Sequence, residues 1–308
     1  MTQNIQTHPV VCGICGSADA KPLFSAIDRL HGFEGTFHYV QCKDCGLVYM
    51  SPQIAAEQLS VFYPADYAPH HVVAAPSDTK NSSPSLPKFI LDTLNSQSKV
   101  LDVGCGSGGF LHQVRQFYRC QVFGVDFSEN AICAARKGYG VEAFCGRIFD
   151  VPFEDNTFDL ITARSSIEHL DNPAEAMRKA FALCKPSGWL LIKTPNWNST
   201  AARLFKEKWY HLDCPRHLYL FTPKTIRQLL DKCGFQNIQF YYEASSKGLL
   251  GSLQYVFYGN NYRPEVKNKL RRSCLVKAFV SPISRLLAWL KQSDTMIITG
   301  RKKPGKSR

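Results

Sequence analysis

Four cysteines near the N-terminus stand in two C-x-x-C-G units, Cys12-Gly-Ile-Cys15-Gly16 and Cys42-Lys-Asp-Cys45-Gly46. Each unit turns two thiolates toward one point, and two such units supply the four soft ligands of a closed tetrahedral zinc site. The segment between them leaves room for a hairpin that enters the second unit through Phe37-His38-Tyr39-Val40. Neither unit has the strand-then-helix setting of a thioredoxin-type redox pair, so a structural Zn2+ on Cys12, Cys15, Cys42 and Cys45 is expected. A second stretch, Asp102-Val-Gly104-Cys-Gly106-Ser-Gly108-Gly109, satisfies G-x-G-x-x-G. Glycines there let a ligand approach the backbone where a helix begins. Asp126 closes the next apolar run, at a spacing from which a carboxylate accepts both ribose hydroxyls. An adenosine-containing cofactor is implied. The carboxylate of Asp102 disfavours a pyrophosphate and attracts an ammonium, so S-adenosyl-L-methionine (SAM) fits better than a nicotinamide dinucleotide. The competing reading has Asp102 facing away and paired with a backbone group.

These residues need a scaffold, and the pattern around them supplies one. Short β-branched runs predict strands at Val100–Gly104, Gln121–Asp126, Val141–Gly146, Phe158–Ala163 and Trp189–Thr194. Helices are expected between them at Gly109–Phe117, Ser128–Lys137 and Pro173–Cys184, the last capped by Asp171 or Asn172. Strand-helix-strand repetition means an α/β fold with a Rossmann-like, doubly wound parallel sheet. Thr222-Pro223 starts a further helix that stops at Gly234, and strands at Phe235–Tyr241 and Thr295–Gly300 are placed to complete the sheet. Residues 1–60 form a zinc-ribbon-like module, the proline-rich residues 61–87 a linker or lid, and residues 88–308 the main domain. The aromatic run from Val61 to Tyr67 reads as a cover for a ligand or as an anchor of that linker on the main body, and anchoring is the expected role.

The stretch Val100-Leu-Asp-Val-Gly-Cys-Gly-Ser-Gly-Gly-Phe-Leu111, the acid of Gly124-Val-Asp126, and Val151-Pro-Phe-Glu-Asp-Asn-Thr-Phe-Asp159 ahead of Ile167-Glu-His169 together resemble the class I SAM-dependent methyltransferases. The resemblance covers about residues 88–244 plus the closing strand and implies a seven-stranded sheet whose last strand is antiparallel. The zinc units and the run from Trp209 to Pro223 look like small-molecule and surface-polysaccharide methyltransferases. The resemblance implies cofactor contacts at Asp102, Gly104, Gly106, Gly109 and Asp126. Such enzymes often carry an Asp after the third strand for the adenine amino group, whereas this chain has Gly146-Arg147, leaving the backbone or Asp150 for that contact.

Methyl transfer to a hydroxyl needs a base, and imidazole titrates in the right range. His169 follows the fourth strand and His217 follows the fifth, both toward the sheet edge where ligands bind in such folds. They are the catalytic candidates, with satisfied structural histidines as the competing reading. His211 and Asp213 are weaker candidates, and Arg216 is placed to steer a phosphate or carboxylate of the acceptor.

The chain has 308 residues, 44% hydrophobic and 20% charged, which excludes a disordered or coiled-coil protein. Its net charge of +12 is uneven: residues 245–308 carry 14 Lys and Arg against Glu265 and Asp294, and the remainder balances. The insertion 248–293 alternates apolar stretches with basic ones. It is read as an amphipathic surface for contact with a membrane, as a cap on the acceptor pocket, or as a dimer face. No cationic start with a following apolar run is present at the N-terminus, and no stretch has the ~18 apolar residues of a membrane span. A cytoplasmic protein, in peripheral contact with the inner membrane face on the first of those readings, is expected. Together these features point to O-methylation of a small molecule or glycan. The alternative is a zinc-ribbon protein that binds or methylates RNA, for which the neutral body lacks a basic and aromatic stripe.

Overall fold

In the computed structural model, which describes residues 5–64, 67, 70, 86–259 and 273–305, thirteen strands form three sheets. In chain order the strands are β1 (Thr7–His8), β2 (Ala20–Ala26), β3 (Phe37–Cys42), β4 (Val48–Met50), β5 (Gln53–Ile54), β6 (Lys99–Val103) and β7 (Gln121–Asp126). They continue as β8 (Glu142–Cys145), β9 (Phe158–Arg164), β10 (Cys184–Pro195), β11 (Tyr219–Leu220), β12 (Gln236–Tyr242) and β13 (Thr295–Arg301). The described helices are α1 (Lys88–Leu91), α2 (Gly109–Tyr118), α3 (Glu129–Tyr139), α4 (Pro173–Leu183), α5 (Thr200–Phe205), α6 (Pro223–Cys233), α7 (Lys247–Tyr258) and α8 (Cys274–Trp289).

The main sheet has seven strands in the order β12-β13-β10-β9-β6-β7-β8. β13 alone is antiparallel to its neighbours β10 and β12, as the resemblance implies. Neighbouring residues of the central strands feed opposite faces. Val100, Leu160 and Leu191 pack with Leu111, Val114 and Ile132 of α2 and α3, whereas Leu101, Ile161 and Ile192 pack with Met177 and Leu229 of α4 and α6. Alternation on a sheet buried on both sides gives each face its own helix layer. The helix starts follow from local chemistry. Ser128 accepts a hydrogen bond from the Ala131 amide and Asn172 one from the Glu175 amide, with Pro173 in the first turn. Thr222 and Thr225 form a reciprocal capping box. Gly234 ends α6 at φ 97°, a left-handed conformation that suits glycine.

The N-terminal strands do not stand apart from this body. β2, β3 and β4 form an antiparallel sheet whose fourth strand is β11, contributed by the segment just before α6. The core that holds Leu101 and Ile161 runs on through Phe62, Met50 and Tyr39 to Cys12 and Cys45. Between β12 and β13 the chain inserts α7 and α8 instead of a short hairpin. Most of the proline-rich stretch up to Pro84 and the basic run Lys267–Arg272 lie outside the described residues. Among the described residues no helix is long and apolar enough to cross a membrane.

Candidate active site

The glycine bend after β6 has little freedom to be anything else. Gly104 sits at φ 74°, and a Cβ there would lie 2.4 Å from the Cβ of Ser166. The backbone therefore passes directly beneath the loop that leaves β9, which brings Glu168 and His169 next to the bend. Ser166 fixes that approach by donating from its hydroxyl to the Val103 carbonyl at 2.6 Å. Gly108, at φ 80°, faces Ala135 and Val141 at 3.0 and 3.3 Å, which lets α2 pack against its neighbours.

The two acids at the strand ends differ in kind. Asp126 accepts the Gly106 amide at 2.9 Å on Oδ2 and the Ser128 amide at 3.0 Å on Oδ1. Each oxygen keeps a further lone pair, so the side chain is oriented by the backbone and still able to hold two hydroxyls. Asp102 is buried at the floor of the bend and accepts the Thr162 hydroxyl at 2.6 Å on Oδ1. Its partner is a side chain, not a backbone group. Burial raises its pKa to about 7, against the opposing pull of the Arg164 guanidinium. Asp150 is exposed and uses Oδ2 to accept the Arg147 amide at 2.7 Å, which closes the turn where the adenine contact was expected. Arg147 itself points to Asp171, 3.1 Å away.

His169 and His217 are brought together, with ring centroids 4.6 Å apart. His169 Nδ1 lies 3.0 Å from the Arg216 carbonyl, which can only accept, so the hydrogen is on Nδ1 and the lone pair on Nε2. His217 Nδ1 likewise donates to the His211 carbonyl at 2.9 Å. The free Nε2 of His217 then faces Glu168 Oε1 at 3.9 Å and Asp213 Oδ2 at 3.8 Å. Glu168 Oε2 accepts the Thr194 hydroxyl at 3.0 Å, while Oε1 is buried with no hydrogen-bond partner. Both distances from His217 Nε2 are beyond hydrogen-bond reach, so its lone pair and Glu168 Oε1 face each other without bonding. Burial lowers the His169 pKa to about 3 and lowers that of His217 too, although Asp213 partly restores the latter. Burial raises Glu168 to about 8. Burial also opposes ionisation of Asp213, but the Arg216 guanidinium holds it well below the usual carboxylate range.

Arg216 is not available to an acceptor. Its side chain is fully buried, forks onto Asp28 at 2.9 Å through both terminal nitrogens, and donates to Asp213 at 2.8 Å and to the Phe62 carbonyl at 3.0 Å. The expectation that it steers a substrate phosphate or carboxylate is corrected: it clamps the N-terminal module to the 213–217 segment.

Two contributors escaped the sequence reading. Tyr63 places its hydroxyl 3.0 Å from His169 Nδ1 and its ring 5.3 Å from that of Phe127, next to Asp126. Tyr63 thus reaches the site, which favours, over anchoring alone, the ligand-covering role weighed for the run from Val61 to Tyr67. Its mixture of tyrosines and proline ahead of the linker was the available signal. Glu168 stood in the quoted Ile-Glu-His, but nothing local marks a glutamate as buried.

A family model described as a methyltransferase domain matches residues 79–240, over half of the chain, from α1 into β12; the N-terminal module, Tyr63, the insertion and β13 lie outside it. The chain belongs to the class I SAM-dependent methyltransferase family. A phosphoethanolamine N-methyltransferase of Plasmodium falciparum is 30% identical over 157 residues, 47% of this chain and 56% of that protein. A ubiquinone biosynthesis O-methyltransferase of Bordetella bronchiseptica is 36% identical over 121 residues, 36% of this chain and 48% of that one. This methyltransferase thus spans about half the length, or less, of the curated relatives it matches. A solved Haemonchus contortus phosphoethanolamine N-methyltransferase 2 with bound SAM aligns at TM-score 0.47 and 22% identity, over 72% of this chain and 54% of that one.

Outside the family's own domain, the four N-terminal cysteines of this methyltransferase converge. Cys12 and Cys45 sulfurs lie 3.4 Å apart and those of Cys15 and Cys42 3.5 Å, with all four within 4.8 Å of one another. They are free thiols, not disulfides. Four thiolates at ~2.3 Å around one ion would stand at comparable separations, so the donor set fits Zn2+. Gly16 and Gly46, at φ 75° and 81°, donate back to the Cys12 and Cys42 carbonyls and explain the glycine after each pair. Burial pushes the Cys12 thiol up and raises Cys45 to about 11, whereas Cys42, helped by the Cys45 amide, is lowered to about 7.

Proposed function

We propose that this methyltransferase moves a methyl group from SAM to a hydroxyl oxygen of a small molecule or glycan, in surface-polysaccharide or secondary-metabolite synthesis. The observation that carries the reading is the placement of His217 Nε2, its lone pair 3.9 Å from the unpartnered Glu168 Oε1 and 3.8 Å from Asp213 Oδ2, beside the glycine bend. A hydroxyl brought there can donate to that lone pair. An acceptor that depends on a phosphate would need a free cation there, and Arg216 is committed to Asp28 and Asp213.

When bound, SAM supplies an electrophilic methyl on a sulfonium. The chain's part is placement. Asp126 would hold the ribose hydroxyls, the Gly104–Gly109 bend would admit the cofactor close to its backbone, Asp102 would meet the ammonium, and Asp150 or the adjacent backbone would serve the adenine. The acceptor hydroxyl would donate to His217 Nε2, and that nitrogen would take its proton as the oxygen is methylated. Ionised Asp213 stabilises the imidazolium. His217 is the base because its Nε2 stands 3.8 Å from Asp213, whereas burial pushes the His169 pKa down to about 3. His169 and Tyr63 orient the group. Zn2+ on Cys12, Cys15, Cys42 and Cys45 is structural, and the free thiols support a reducing, cytoplasmic setting.

The test is methyl transfer from labelled SAM to a panel of sugars, phenols, phosphoethanolamine and RNA, with His217→Asn and His169→Asn beside the wild type. His217→Asn is expected to lower kcat by about 10²–10⁴-fold with SAM affinity kept. Undiminished turnover in that variant overturns the base assignment. Transfer to RNA, with binding that falls steeply with salt, would support the RNA reading instead.

A further inference from the structure

We infer that the outer face of α8, with the adjoining ends of α5 and α7, docks on an anionic phospholipid surface. Isolated exposed apolar residues are ordinary, but a contiguous set is not. In α8 and its C-cap residue, Phe279, Ile283, Leu286 and Leu290 recur at three- and four-residue steps along one face and are 86%, 49%, 54% and 49% exposed. Trp289 stands beside them at 77%. The opposite side of the helix holds Ser284, which is buried and donates to the Val280 carbonyl. The helix is thus amphipathic with its apolar stripe turned outward.

α5, bonded to a residue just past α8, and α7, packed on α5, also carry exposed apolar side chains. Gln292, just past α8, accepts from Arg203 of α5 and bonds through its carbonyl to the Thr200 amide, which sets α8 against α5. Leu204 of α5 is 68% exposed and Phe257 of α7 73%.

Charge decides the occupant. Arg285 and Lys291 flank the stripe, and Arg203 and Lys206 stand exposed on and just after α5. The described acid of residues 245–305, Asp294, is buried and bound to Trp209 and Ser199, so it offsets none of them at the surface. An apolar stripe with an aromatic edge and basic flanks matches the boundary between acyl chains and anionic headgroups. A second copy of the chain would bring like charges together at the rim.

The surface is mechanically close to the acceptor site. A Cβ on Gly251 of α7 would lie 2.3 Å from the Tyr210 ring, and one on Gly248 2.7 Å from the His211 ring. α7 is therefore seated on the segment that carries His211, Asp213 and His217. A membrane-borne acceptor would be met beside the base; that consequence rests on the proposed function, whereas docking does not.

The experiment is sedimentation of the full chain with phosphatidylcholine vesicles, alone or containing about 30% phosphatidylglycerol. Expected is binding at least tenfold stronger to the anionic vesicles, weakened by salt. Phe279→Ser with Trp289→Ser should lose at least about tenfold, and Arg285→Gln or Lys291→Gln about fivefold each. These side chains are exposed, so the variants should melt like the wild type. Equal binding by wild type and the double serine variant overturns the inference, as does wild-type protein that ignores anionic vesicles. A wild-type dimer split by the same double variant, without vesicle binding, would reassign the face to self-association. Vesicle binding is read without turnover, so failure of the hydroxyl-transfer reading would leave its outcome unchanged.

Discussion

Replacing Arg216 by alanine tests whether the N-terminal module and the methyltransferase domain fold as one unit. The guanidinium makes its ion pairs at zero side-chain exposure with Asp28, and Asp213 is only 14% exposed. Its removal leaves two carboxylates facing each other without a cation, and the Phe62 carbonyl without a donor. Breaking a buried pair from one side costs about 3–5 kcal/mol, a large share of the ~5–15 kcal/mol that holds a domain together. At about 2–4 °C per kcal/mol for a chain of this class, the melting temperature should fall by roughly 10 °C. Arg216→Lys should fall between, because one ammonium cannot present the planar fork. The sign with pH follows from Asp213, whose folded pKa is depressed. Its contribution is present above the ordinary carboxylate value of 3.8 and fades as pH drops below it. The penalty of Arg216→Ala should therefore be full at pH 7 and shrink toward pH 3. Urea unfolding followed by fluorescence of the buried Trp209 reads the difference. A loss below about 1 kcal/mol at pH 7 is what an exposed pair gives and would refute the clamp.

Three further outcomes are expected. Gly104→Ala places a methyl 2.4 Å from Ser166 in a left-handed backbone, so SAM binding measured by calorimetry should disappear and the melting temperature drop; retained affinity would contradict the bend described here. Asp102, with its pKa raised to about 7, is protonated below that value, and an ammonium prefers the carboxylate. SAM affinity should therefore rise with pH from 6 to 8 and binding at pH 6 should release a proton, seen as a buffer-dependent enthalpy, while Asp102→Asn flattens both. Metal analysis of protein purified without chelators should find about one zinc per chain, and a strong chelator should lower the melting temperature because ligand binding and folding are coupled. Finding no metal and no chelator effect would remove the zinc assignment.

The amino-acid sequence by itself determined what depends on near neighbours. The strand Gln121–Asp126 was placed to the residue, as were the start of α6 at Thr222-Pro223 and its stop at Gly234. Apolar periodicity, caps and left-handed glycines act over a turn or two, so a linear pattern carries them. The C-x-x-C-G spacing and the glycine bend are local in the same sense. Tertiary structure decided the rest. Arg216 meets Asp28 across 188 positions, and Tyr63 meets His169 across 106. The burial that raises the Glu168 pKa and lowers that of His217 comes from elements folded around the pair. β11 joining the sheet of β2, β3 and β4 is equally invisible beforehand. Residue type fixes what a side chain can offer, but charge state and accessibility are set by which distant segments exclude water from it.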